Sequence, residues 1–132
     1  MLDLLAEITK VSLNNGSLIL LDRVEEMGYK VMLINKTNDS PITPEVHLKE
    51  DDIYLVLGGK GFLYSGGEIV NKRSLSNDNT QFSGDRLIKC ECKEIKQGDI
   101  LIIPKGVAHM VRTETSLTYI VLKENSRKCF ML

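Results

Sequence analysis

Only two histidines occur in this chain of 132 residues, and each has a local sequence that fixes its direction. His109 ends the stretch Gly98–His109 (GDILIIPKGVAH). Gly98 and Asp99 turn the chain into an apolar strand, Ile100–Ile103, and Pro104 with Gly106 then makes a tight corner. His109 opens the next strand, and a side chain just past a rigid corner has the set orientation that a metal ligand needs. His47 lies in Glu45–Asp52 (EVHLKEDD), two residues after Glu45, so on a strand both side chains leave the same face. Lys49–Asp51 reads as a charged turn, and Asp52 starts the return strand, where it can lie opposite His47. Imidazoles held beside carboxylates can ligate a metal ion or exchange protons.

The elements that must position these groups are strands. Ser17–Asp22, Tyr29–Asn35, Val46–Lys49, Asp52–Leu57, Gly61–Ser65, Glu68–Val70, Leu87–Cys92, Ile100–Ile103, His109–Arg112 and Leu117–Leu122 are short, apolar and rich in β-formers. Asp52, Tyr54 and Val56 share one face of their strand, and Ile53, Leu55 and Leu57 the other. Tyr54 and Tyr119 are candidates for the mouth of the fold, against the plainer reading that they are core. Turn signals separate the runs at Asn14–Gly16, Gly58–Gly61, Ser65–Gly67, Gln97–Asp99 and Pro104–Gly106. Short strands with tight turns and almost no helical periodicity predict an all-β sandwich or barrel, preceded by a short N-terminal helical segment with Leu4, Leu5 and Ile8 inward. Asn71–Arg86 is long and polar, so it is expected to be a mobile excursion, either a solvated loop or a lid.

Length suits one domain over residues 1–132, with a core of about 17–123. A composition of 42% hydrophobic and 27% charged residues with net charge −1 is that of an ordinary globule, with no basic stretch for nucleic acid or a membrane surface. Met1–Lys10 carries Asp3 and Glu7 and does not read as a signal peptide. Three cysteines suit a reducing compartment, so a cytoplasmic location is expected. Cys90 and Cys92 have no second pair to complete a zinc site and read as small residues on one strand face. Gly58–Gly61 lies between strands with no helix after it, which excludes a phosphate loop.

The two histidine stretches resemble the two motifs of the cupin superfamily. Gly98, Pro104, Gly106 and His109 match the second motif, G-x5-P-x-G-x2-H-x3-N, with Thr113 in the place of Asn. His47 and Gly59 match the first, G-x5-H-x-H-x3,4-E-x6-G; Asp39 stands for its leading Gly, Glu45 for its first His and Asp52 for its Glu. The resemblance implies a double-stranded β-helix, or jelly roll, with motif side chains pointing into one end of the barrel. It also implies a divalent metal held by His47, Asp52 and His109, with Glu45 as a fourth ligand or a free general base kept ionised by the nearby cation. Two nitrogen and up to two oxygen donors point to Mn, Fe, Ni or Zn. The alternative is a barrel of the same fold whose histidines make only structural hydrogen bonds.

A fold that hosts many functions names no reaction. Two histidines exclude a three-histidine iron site. A two-histidine, carboxylate centre suits Lewis-acid chemistry on a small carboxylate- or carbonyl-bearing molecule, of the isomerase, lyase or decarboxylase type, or oxygenation at Fe(II). The alternative of another class is a non-catalytic module that binds a small molecule or a metal. A metal-free epimerase with a His–carboxylate pair is disfavoured by the lack of inward arginines. Surplus apolar residues in Ser17–Asp22 and Tyr29–Asn35, together with the resemblance, lead us to expect a homodimer.

Overall fold

A computed structural model describes residues 28–124, and over this span the chain is all β. The expected N-terminal helix and the Ser17–Asp22 strand lie outside the described residues. Eleven strands run in chain order: β1 (Tyr29–Thr37), β2 (Glu45–His47), β3 (Asp52–Ser65), β4 (Glu68–Val70), β5 (Arg73–Ser74), β6 (Gln81–Ser83), β7 (Arg86–Ile88), β8 (Glu91–Lys96), β9 (Ile100–Ile103), β10 (His109–Arg112) and β11 (Ser116–Glu124). No helix among the described residues is long and apolar enough to cross a membrane.

The organising element is β3, 14 residues long. Its first half pairs with β11 and β9, and β1 pairs with β11 beyond them. Its second half pairs with β8 and β10, and the sheet continues through β2, β6 and β5. The expectation of two strands separated by a turn at Gly58–Gly61 is therefore corrected: these glycines bend one strand from one sheet into the other. Gly59 has φ +77° and lies where the β3–β11 register shifts between Thr118 and Tyr119. A Cβ there would run into the Ser116 carbonyl oxygen, so only glycine fits. The bend has a consequence for the site. At about 3.3 Å per residue a straight strand of this length would hold its ends about 40 Å apart. Yet His109, which pairs with Ser65 at one end, has its ring 3.4 Å from Asp52 at the other.

Between the sheets lies an apolar core in which Tyr54, Val56, Leu101, Ile103, Tyr119 and Val121 meet Leu63, Ile95 and Val111. Strand parity sends Ile53, Leu55, Ile120 and Leu122 to the outer face of the first sheet, where Tyr29 and Val31 join them. There the register lines up two apolar rows, Val31–Leu122–Ile53–Ile102 and Leu33–Ile120–Leu55–Ile100. Leu33, Ile100 and Ile102 in these rows are 51%, 47% and 62% exposed. Val46, Leu87 and Ala108 form a third cluster with Ile69 and Phe82.

Two further expectations are corrected. Asn71–Arg86 is no structureless excursion, since it contains β5 and β6, and β6 pairs residue for residue with β2 (Glu45↔Ser83, His47↔Gln81). Its polar residues hold it together: Asp85 accepts from Asn71 at 2.7 Å and Arg73 at 2.9 Å, and Ser83 donates to the Pro44 carbonyl at 2.8 Å. Leu87–Cys92 is not one strand either. Lys89 takes φ +58° and separates β7 from β8, leaving Cys90 half-buried and Cys92 exposed, both as free thiols.

Two measurements follow from this architecture. Gly59→Ala is expected to cost about 3 kcal/mol in urea unfolding, from backbone strain and the clash together. The exposed apolar rows are expected to pair two copies of the chain; a monomeric mass in sedimentation at micromolar concentration would contradict this.

Candidate metal centre

Glu45, His47, Asp52 and His109 converge at one end of the barrel interior. Glu45 and His47 arrive through the parity of β2, with Val46 between them turned to the third cluster, with Leu87 and Ala108. The Pro104–Gly106 corner is tied to that strand, because the Gly106 N–H donates to the His47 carbonyl at 2.7 Å. The same corner uses Asp51, which accepts from the Lys105 N–H at 2.8 Å. His109 then pairs with Glu45 across β10 and β2. Asp52 reaches the site differently from expectation: β2 does not pair with β3, and the carboxylate comes from the facing sheet.

Asp52 Oδ2 lies 3.5 Å from His47 Nε2 and 3.4 Å from His109 Nε2. Glu45 Oε2 lies 3.5 Å from His47 Nε2, and one ligating atom each from Glu45, His47 and His109 falls within 4.8 Å of the others. Two donors about 2.1 Å from one ion, at tetrahedral or octahedral angles, sit about 3.0–3.4 Å apart, so the observed spacings are close to those of a chelate. His109 Nδ1 is 3.0 Å from the Val107 carbonyl, which only accepts, so the ring proton is on Nδ1. His109 Nε2 faces the Asp52 carboxylate oxygen and is buried without a hydrogen-bond partner among the described residues. A cation must lie between them for this arrangement to be favourable, as a proton or as a metal ion. A histidine that donates Nδ1–H to a backbone carbonyl is also the usual form of a metal-ligating imidazole. The donor set fits a divalent ion.

Sequence reasoning missed Lys123. Its Nζ lies 3.1 Å from His47 Nε2 and 3.2 Å from Asp52 Oδ1. The register sets Lys123 directly opposite Asp52 across β11 and β3. The signal was present in the shared parity of Tyr119, Val121 and Lys123, but the strand was expected to end at Leu122. Burial alone would raise the Asp52 carboxyl; His109, the Lys123 ammonium and His47 outweigh it and hold the group below the ordinary carboxylate range. Glu45, whose side chain is 47% exposed, is held low chiefly by its contact with His47, against its partial burial. Thr113, in the place of the motif's Asn, is structural: it is buried and donates to the Lys60 carbonyl at 2.7 Å.

A cavity of about 270 Å³ opens beside this cluster. Its wall includes Glu45, Asp52 and His109, the apolar Met32, Ile34 and Val121, the two tyrosines, and Lys36 and Lys123. Tyr54 and Tyr119 stack at 5.0 Å, and burial pushes both phenols up, so they stay protonated. No residue of the Asn71–Arg86 segment lines this cavity.

The cupin family model matches residues 21–129, and the chain belongs to that family. No curated protein matches the sequence. Among solved structures, an uncharacterized conserved protein with a double-stranded β-helix domain from Klebsiella pneumoniae superposes with TM-score 0.53 at 16% identity, covering 74% of this chain and 68% of that one. A predicted oxalate decarboxylase from Thermotoga maritima gives 0.52 at 16% identity, over 78% and 72%. The Fe(II) form of HppE gives 0.52 at 10% identity, over 75% of this chain and 45% of that one. At these identities the likeness establishes the fold, a double-stranded β-helix.

The buried pair gives two expectations for metal-free protein. Lys123→Met leaves Asp52 without its cross-strand cation and is expected to cost about 3 kcal/mol, part of which Asp52→Asn restores in the double variant. The folded pKa of Asp52 lies below its unfolded value, so the unfolded chain takes up the proton first as pH falls. The stability that this carboxylate contributes is then complete above about pH 4 and is lost below it, through the depressed folded value. The stability difference between wild type and Asp52→Asn should shrink over that acid range in thermal melts; a constant difference would contradict the assignment.

Proposed function

We propose that this cupin binds one divalent ion of Mn, Fe, Ni or Zn through His47, Asp52 and His109, with Glu45 beside it, and acts on a small carboxylate- or carbonyl-bearing molecule. The observation that carries this reading is the buried His109 Nε2, which faces the Asp52 carboxylate 3.4 Å away with no hydrogen-bond partner among the described residues. When bound, such an ion supplies Lewis-acid polarisation of a carbonyl or carboxylate oxygen, or an Fe(II) centre for oxygen chemistry. The remaining work falls to the chain. Glu45 is ionised and partly open to the cavity, so it can take a proton from a bound molecule. Tyr54 and Tyr119, held as neutral phenols, can donate hydrogen bonds to its oxygens. Met32, Ile34 and Val121 exclude water from its carbon skeleton.

A second reading is favoured by Lys123. Its ammonium already stands between His47 and Asp52, and it balances the buried carboxylate with no metal present. In that case the barrel is a metal-free binding module. The two readings differ in one measurement. Calorimetric titration with Mn, Ni and Zn should show stoichiometric binding that His47→Ala and His109→Ala each abolish, Asp52→Ala weakens strongly and Glu45→Ala weakens less. Lys123→Met should tighten metal binding about tenfold or more, since it removes a competing cation. Absence of binding in wild type, or wild-type affinity in both histidine variants, leaves the binding module as the function.

A further inference from the structure

Lys36 is a cation on the cavity wall that the metal centre does not use. It lies on β1, on the same face as Met32 and Ile34, and lines the cavity that Asp52 and His109 line. Its Nζ donates to the Val111 carbonyl at 3.3 Å. This is its one hydrogen bond among the described residues, and an ammonium has three donors. Lys36 is half-buried, and its burial disfavours the charge while Glu45 opposes that effect. An anion at this position would offset the desolvation and satisfy the remaining donors.

The charges of the cavity say which anion. Glu45 and Asp52 balance Lys36 and Lys123, so a divalent ion added at the histidines leaves two positive charges in excess. The cavity of about 270 Å³, at about 30 Å³ per water-sized group, has room for about nine non-hydrogen atoms. Its apolar middle, Met32, Ile34 and Val121, suits a short carbon chain with polar ends.

We propose that Lys36 anchors the distal carboxylate of a small dianionic oxo acid whose other end reaches Asp52 and His109 in the same cavity. The proposal rests on the metal-dependent reading for the chelating end of the ligand, and on the cavity alone for the Lys36 end. A four- or five-carbon dicarboxylate with a carbonyl fits the charge and the size, whereas a monoacid of equal length leaves the Lys36 ammonium unpaired.

The test is a cycle between protein and ligand. After Mn affinity is measured in each preparation, 2-oxoglutarate and 2-oxopentanoate, which differ only by a distal carboxylate in place of a methyl, are titrated calorimetrically into wild type, Lys36→Met and Lys36→Arg. Wild type should prefer the dianion about tenfold to a hundredfold, the value of one charge-assisted hydrogen bond. Lys36→Met should abolish that preference, read as the ratio of the two affinities in the same preparation, and Lys36→Arg should restore most of it. No preference in wild type, or the same preference in Lys36→Met, overturns the role of Lys36 while leaving the metal centre standing. If wild type binds no Mn, the metal-dependent function fails, and the same pair titrated into metal-free protein judges Lys36 by the same preference. Failure of both ligands to bind either form at millimolar concentration overturns the proposal.

Discussion

The structure of this site depends on one buried charge. Asp52 is 2% exposed, at the edge of an apolar core, and an ionised carboxylate in such a place is unfavourable by several kcal/mol unless its partners are good. Those partners come from three other strands: Lys123 across β11, His47 from β2 and His109 from β10. None of them is near Asp52 by pairing along a hairpin. Holding the charge thus requires the two sheets to close on each other at this end, and the bend at Gly58–Gly59 makes that closure geometrically available. The polar cluster and the barrel's shape are consequences of each other.

How much of this was legible in the sequence follows from how local each cause is. Parity along a strand is local, so Glu45 with His47, and Asp52 with Tyr54 and Val56, are found on the expected faces. The Gly98–His109 corner is also local, and β9 and β10 occupy their expected residues. The pairing of β11 with β3 is not local, and only that pairing sets Lys123 opposite Asp52. Glycine pairs are ambiguous in sequence because the same freedom serves a reversal and a bend; at Gly58–Gly59 the long-range register decides for the bend. β5 and β6 were missed because their residues are polar. Their stability comes from backbone pairing, β6 to β2 and β5 to β6, and from Asp85, and apolar periodicity reports neither.

Lys123 also gives a physical account of the departures from the cupin motif. The pattern of three histidines and one glutamate places one negative charge around its ion. Here Glu45 replaces a histidine and Asp52 the glutamate, which makes two, and the Lys123 ammonium returns the cluster to one. The shorter Asp52 side chain is consistent with the same arrangement, because it keeps the carboxylate close to its cross-strand partner while both histidine Nε2 atoms stay within 3.5 Å. A cation held at His47 Nε2 would compete with this ammonium, which stands 3.1 Å from that nitrogen.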